Sequence, residues 1–191
     1  MANEFYALLG RMRYITRWGL MRNTYAENIQ EHSHQVAVLA HALALIRRNV
    51  LKLDGPDPDR CAVAALYHDA TETLTGDMPT PIKYYNPGIK EAYKQVERIA
   101  GERLLDMLPP ELRDSYAHLI FEDDCMVRPI VKAADKLSAY IKCMEEQKAG
   151  NTEFDSAAEQ TMASMKEMDM PELNWFIDNC LEPFSLNIDQ L

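Results

Sequence analysis

Three short stretches of this sequence concentrate side chains able to hold a divalent cation. Glu31-His32-Ser33-His34 opens one helical pattern. Leu66-Tyr67-His68-Asp69-Ala70-Thr71-Glu72 lies late in a second, and Ala133-Ala134-Asp135-Lys136-Leu137 sits inside a third. Imidazole and carboxylate together suit a borderline or hard divalent ion such as Co2+, Mn2+, Zn2+, Fe2+ or Mg2+. Neighbouring helical residues point about 100° apart, so His68 and Asp69 do not stack, yet both can converge on an ion standing off the helix. Glu72, three residues beyond Asp69 and four beyond His68, is expected on their face. Three ionisable groups on an alanine-rich face are costly unless something satisfies them, and a cation would. Asp135 lies in VKAADKLSAYI, where Val131, Ala134, Leu137 and Ile141 take the core-facing spacing. An unpaired carboxylate buried there would cost several kcal/mol or take up a proton.

Taken singly, each residue has an ordinary explanation. Asp135 could be exposed, or paired with Lys132, Lys136 or a distant arginine. His32 could be a surface or capping histidine, and His34, His41 and His118 have the same range of roles. The combination carries the metal reading.

The elements that must position these stretches read as helices. Residues 3–14 form a first, with Phe5, Leu8, Leu9 and Met12 at helical spacing, and 16–24 an irregular connection. A second runs over about 28–49, with Asn28 and Glu31 placed as a capping box and a stripe of Val36, Leu39, Ala40, Leu43 and Ile46. A third starts at Pro58 or Asp59, carries Ala62, Ala65, Leu66, His68 and Asp69, and ends near Leu74. The loop 75–81 is punctuated by glycine and proline. Further helices are expected at about 88–107, 110–119, 126–148, 154–166 and 171–181, with an irregular tail. The expectation is a compact all-α domain of about seven helices spanning 1–191. Its ligand-bearing core covers about 28–145, and the C-terminal helices 152–191 pack on it.

Composition bounds the function. A formal charge of −10 repels a phosphate backbone and an anionic bilayer, so neither nucleic acid nor membrane is an expected partner. A small phosphate ester stays possible, because a metal and a few basic side chains reverse the field locally. Cys61, Cys125, Cys143 and Cys180 form no CxxC pair and are expected as reduced, mostly buried thiols. With no apolar leader and no long apolar run, a cytoplasmic protein is expected.

The order His32, His68-Asp69, Asp135 resembles the signature of the HD superfamily of metal-dependent phosphohydrolases. The likeness extends to RWGLMRN (17–23), ENIQEHSHQVA (27–37), YHDATETLTGDMPTPIKY (67–84), PPELR (109–113) and VKAADKLSAYIKCMEE (131–146). These stretches look like the bacterial YfbR-type 5′-deoxynucleotidases. The resemblance implies a helical, homodimeric, cytoplasmic enzyme that removes the 5′-phosphate from deoxyribonucleoside monophosphates with one divalent ion, Co2+ or Mn2+ foremost. It implies His32, His68, Asp69 and Asp135 as metal ligands, with Asp69 and Asp135 also near the substrate. It implies Arg17 as the group that orients phosphate, Trp18 beside the sugar and set against a 2′-hydroxyl, and Glu72 as catalytic acid. Asp77, Met78, Pro79 and Thr80 would contact the nucleoside side.

Physical chemistry is compatible with these roles. Arg17 can clamp two phosphate oxygens with its planar fork. Glu72 can protonate the departing 5′-oxygen if burial or neighbouring carboxylates raise its pKa. Asp77 can instead position water or accept a sugar hydroxyl. Bland readings stand beside them: Arg17 snorkelling on the surface, Trp18 as a core anchor, Thr75-Gly76-Asp77 as a plain turn, and Lys83 solvated. The alternatives in function are an HD phosphohydrolase acting on another nucleotide ester, and a non-catalytic metal or nucleotide sensor.

Overall fold

Residues with high helix propensity dominate this chain, and the chain folds accordingly. The computed structural model describes residues 3–83 and 85–191, apart from the side chains at positions 80 and 81. In chain order the helices are α1 (Phe5–Leu9), continuing as a 3-10 turn over Gly10–Tyr14, α2 (Ile29–Leu45), α3 (Pro58–Tyr67), α4 (Glu72–Thr75), α5 (Thr80–Lys83), α6 (Pro87–Asp106), α7 (Pro110–Ile120), α8 (Val127–Lys148), α9 (Asp155–Glu167) and α10 (Pro171–Cys180). Among the described residues there is no strand, only one antiparallel bridge between Thr16 and Asn28. No helix among them is long and apolar enough to cross a membrane.

The starts of the helices follow their local chemistry. The Asn28 side chain accepts from Glu31 N at 3.0 Å while Glu31 reaches back to Asn28 N, a capping box that satisfies two orphan donors of α2. Pro58 and Pro87 occupy first-turn positions, where a missing N–H costs nothing. Asp124, at the end of the acidic run 122–124, accepts from Met126 N and Val127 N and so caps α8.

The centre of the molecule is the meeting of α2, α3 and α8. The expected stripes are buried there: Val36, Leu39, Ala40, Leu43 and Ile46 on α2, and Val131, Ala134, Leu137 and Ile141 on α8. Each large side chain of this kind contributes about 1.5–3 kcal/mol on burial. Small buried residues lie between them, Ala37, Ala40 and Ala44 on α2, Ala64 and Ala65 on α3, and Ala133 and Ala134 on α8. Interaxial distance depends on the side chains at the contact, so alanines bring the three backbones close. A second cluster packs Phe5 of α1 against Ala70, Leu104, Leu108 and Ile120. There Gly101 is needed for close approach, since a Cβ would stand 2.5 Å from the Phe121 ring.

Four expectations are corrected. The third helix does not run to Leu74; it ends at Tyr67, and the chain passes through a tight turn before α4. Bonds from Ala70 N to Tyr67 O and from Glu72 N to Asp69 O reach back three residues, so the turn is 3-10-like and tighter than an α-helix. The loop 75–81 contains the start of a short helix, α5. Among the described residues, eight helices have five or more residues and two have four, in keeping with the all-α bundle expected. Leu66 is exposed while Cys61 and Ala64 take the buried face of α3, and Cys125 is exposed beside buried Cys61 and Cys143.

Candidate functional site

The close packing of α2, α3 and α8 brings together His32 from the first turn of α2, His68 at the end of α3, and Asp135 from the middle of α8. One ligand atom from each lies within 4.8 Å of the others. The His32 side chain is fully buried and the Asp135 side chain 43% exposed, so the cluster has a closed side and an open one. Asp69 joins it from the turn after α3, its Oδ2 3.7 Å from His32 Nε2 and 3.1 Å from His68 Nε2.

Both imidazoles are turned the same way by hydrogen bonds behind them. Ser138 Oγ donates to Gln35 Oε1 at 2.7 Å, so it accepts from His32 Nδ1 at 3.1 Å. His68 Nδ1 lies 2.7 Å from Ala65 O, which can only accept. With both protons on Nδ1, both Nε2 lone pairs face the cluster. His32 Nε2 stands 3.1 Å from Asp135 Oδ1. His68 Nε2 is buried without a hydrogen-bond partner, although Asp69 Oδ2 is near. Lone pairs and carboxylate oxygens that point at one another require positive charge between them.

The titration behaviour expresses the same demand. Burial pulls the His68 imidazole down, but Asp69 and Asp135 outweigh it and hold it at about 9. Burial lifts Asp69, yet His68 and His32 hold it below its usual range, and His32 and His68 do the same for Asp135. His32 itself is lowered by burial and then by the charge of Arg17. A divalent cation ligated by two imidazoles and two carboxylates meets all of these constraints, so the residues present fit a metal such as Mn, Co, Fe or Zn.

Glu72 opens α4 one tight turn beyond Asp69 and is buried. Burial pushes its carboxyl up to about 9, with Asp69 and Asp77 adding to the rise and Arg17 and Lys83 opposing it. Gly76 then turns the chain at φ 73° and ψ 164°, a conformation essentially restricted to glycine. Asp77 follows, its carboxyl raised by burial and lowered by Arg17. Met78 and Pro79 continue as half-buried loop residues, and Pro79 O accepts the first backbone bonds of α5 from Ile82 N and Lys83 N. Thr80 begins α5, and its side chain lies outside the described residues. Lys83 is paired with Glu97 at 2.7 Å and stands over the Tyr93 ring, which removes the solvated reading.

On another side stand Arg17 and Trp18. The Arg17 guanidinium is largely buried, its NH1 has no hydrogen-bond partner, and its charge reaches His32, Glu72, Asp77 and Asp135. It does not snorkel. Trp18 has φ 60°, a left-handed backbone that costs a bulky residue about 1–3 kcal/mol. Its ring packs at 5.3 Å on Phe154, and its Nε1 donates to Glu27 Oε2 at 3.0 Å.

A cavity of about 890 Å3 opens from the cluster. Its lining includes His68, Asp69, Glu72 and Asp135 together with side chains of both signs, the basic Lys94, Arg98, Arg128 and Lys132 and the acidic Glu97, Glu102, Glu122 and Asp123. Sequence reasoning gave no role to Glu27, Gln35 or Ser138. Ser138 lies three residues from Asp135 and Gln35 three from His32, a spacing that marks a shared helix face; Glu27 carried no such signal.

A family model described as YfbR-like 5′-deoxynucleotidase matches residues 4–184. A 5′-deoxynucleotidase of Photobacterium profundum is 48% identical over 195 residues, covering 99% of this chain and 98% of that protein. Among solved structures, an HD-domain phosphohydrolase from Listeria innocua superposes with a TM-score of 0.81 at 20% identity, covering 95% of this chain and 88% of that one. The HD phosphohydrolase DatZ of cyanophage S-2L, solved with dA and one catalytic Zn2+, superposes with a TM-score of 0.66 at 23% identity, covering 92% and 95%.

Proposed function

The chain belongs to the YfbR-like 5′-deoxynucleotidase family, and from that premise we propose that it hydrolyses deoxyribonucleoside 5′-monophosphates to deoxyribonucleosides and phosphate. One observation carries the assignment of roles: the buried, unpartnered nitrogen of Arg17 and the buried carboxyl of Glu72 flank a single His32–His68–Asp69–Asp135 cluster. When bound by those four residues, a divalent ion supplies Lewis acidity toward phosphoryl oxygens and makes water a competent nucleophile near neutral pH.

The chain's own side chains do the rest. Arg17 offers its free guanidinium nitrogen to a phosphate oxygen and fixes the dianion in line. Water adds to phosphorus, the bond from phosphorus to the 5′-oxygen breaks, and Glu72 delivers its proton to that oxygen. A carboxyl held up at about 9 carries that proton at neutral pH. Asp77 accepts a sugar hydroxyl or orients the water, and Met78, Pro79 and Thr80 line the nucleoside side. Trp18 takes the space beside the sugar where a 2′-hydroxyl would stand.

Phosphate release from dAMP, dGMP, dTMP and AMP, with added Co2+ or Mn2+ and His68→Ala as control, tests this reading. Turnover of the three deoxynucleotides well above AMP is expected. Equal turnover of AMP and dAMP would sink the sugar selectivity, and binding without release at any metal would favour a sensor. Co2+ or Mn2+ as the working ion, a cytoplasmic location and a homodimer belong to the same reading. Val38 of α2 and Val63 and Leu66 of α3, exposed apolar side chains on two helices that pack together, support a dimer. A solution mass near that of one 21.9 kDa chain would remove it.

A further inference from the structure

Glu27 immediately precedes the cap of α2 and has no part in the metal cluster, yet its carboxylate is almost wholly enclosed, 9% exposed. Backbone bonds clamp its segment to the one that carries Arg17 and Trp18: Arg17 N donates to Glu27 O at 2.9 Å, and Ile29 N to Ile15 O at 3.0 Å. A single oxygen, Oε2, then serves both side chains. It accepts from Trp18 Nε1 at 3.0 Å and lies 3.6 Å from Arg17 Nε. The Arg17 guanidinium is itself 5.9 Å from the Trp18 ring centroid.

This arrangement divides the guanidinium. Its Nε edge faces the Glu27 carboxylate in an ion pair at 3.6 Å, while NH1 is left buried without a hydrogen-bond partner. Trp18 is held in a backbone conformation that a bulky residue does not adopt by preference, so its ring needs outside constraints. Phe154 supplies one by packing, and Glu27 supplies the only hydrogen bond to the indole among the described residues.

Resting on the function proposed above, we propose that Glu27 is a positioning residue that fixes Arg17 and Trp18 as one unit, coupling phosphate binding to discrimination against a ribose 2′-hydroxyl. The two halves separate by substitution. Glu27→Gln keeps an acceptor of the same shape for the indole N–H and removes the charge that faces Arg17. Glu27→Ala removes both.

The test measures kcat and KM for dAMP and AMP, together with iodide quenching of Trp18 in a Trp175→Phe background, where Trp18 is the sole tryptophan. Glu27→Gln should raise KM for dAMP about tenfold, the loss of one charge-assisted contact, with kcat, quenching and the dAMP-to-AMP ratio of kcat/KM within about twofold of the parent. Glu27→Ala should show the same rise in KM, an increase in quenching of about twofold or more, and a fall of about tenfold in the ratio. A Glu27→Ala protein with either quenching or ratio unchanged overturns the proposal, as does a Glu27→Gln protein with unaltered KM. If Glu27→Ala does not fold, the split between KM and ratio in Glu27→Gln still decides. If the parent releases phosphate from no deoxynucleotide, the functional reading fails, while quenching still decides whether Glu27 orders Trp18.

Discussion

At the scale of single residues, Glu72 shows how position makes an ordinary carboxyl keep its proton. It sits one tight turn from Asp69, is buried, and faces two further carboxylates, so its proton is held up to about 9. The protonated form is the one that the proposed donation to the leaving oxygen requires. The wild-type rate should therefore hold below that value and fall as pH rises through it. Glu72→Gln should lower kcat by about a hundredfold to ten-thousandfold and lack the alkaline limb, with divalent-ion binding retained. A pH–rate profile of both proteins checks this, and near-normal rates for Glu72→Gln would remove the acid role. The histidines make a different point. His32 and His68 differ in burial and neighbours, yet a hydrogen bond on each Nδ1 turns both Nε2 atoms to one place, so Ser138 and Ala65 O matter to the site without touching an ion.

At the scale of elements, the long α8 serves the site twice. Its middle carries Asp135, and its C-terminal turns carry Lys142 and Glu146, both buried. Glu146 accepts from Thr24 N at 2.9 Å, Thr24 Oγ1 at 2.6 Å, Asn151 Nδ2 at 2.8 Å and Lys142 Nζ. Lys142 also donates to Tyr25 O. This ties the segment between Trp18 and Glu27 to the end of α8. Glu146→Ala leaves Lys142 buried without its counter-charge and should cost about 3–5 kcal/mol, measured by denaturant unfolding. Burial raises the Glu146 carboxyl, but the bonds from Lys142, Thr24 and Asn151 outweigh it and hold the group well below its ordinary 4.5. A carboxyl depressed in the fold stabilises fully above its unfolded value and loses that contribution as pH falls toward the folded one. The stability gap between wild type and Glu146→Gln should thus be constant above about 4.5 and narrow below it. A gap that widens in acid would contradict the assignment.

At the scale of the whole molecule, the proposed cation site joins three helices that are far apart in sequence, so ligation and folding should be linked. An ion that binds the folded form alone stabilises it by about 2.7 kcal/mol at a hundredfold excess over Kd. For a chain of 191 residues that corresponds to a rise of roughly 5–10 °C in Tm. Thermal unfolding with and without Co2+, Mn2+ or Zn2+ measures it, and His68→Ala should abolish the shift. Equal shifts in both proteins would mean that the ion binds elsewhere.

The sequence by itself determined the helical class, the stripes of α2 and α8 and the capping box at Asn28, because each is written at a local spacing of three or four residues, whereas His32, His68, Asp69 and Asp135 stood out only by type and order. Their likeness to a known family also pointed to Arg17, Trp18, Glu72 and Asp77. Only the tertiary structure decided what depends on contacts across a hundred residues or more. The pairing of His32 with Ser138 and Asp135 and the ties of Glu146 to Thr24 and Tyr25 are of this kind, since neither partner's local pattern marks the other. The break at His68 belongs here too. Continuous periodicity predicted one helix to Leu74, whereas a tight turn takes its place and leads into α4, which begins at Glu72. The metal-type cluster of the first paragraph was legible as composition and order, and the packing of α2, α3 and α8 turned it into a site with a buried side, an open side and two lone pairs aimed at one point.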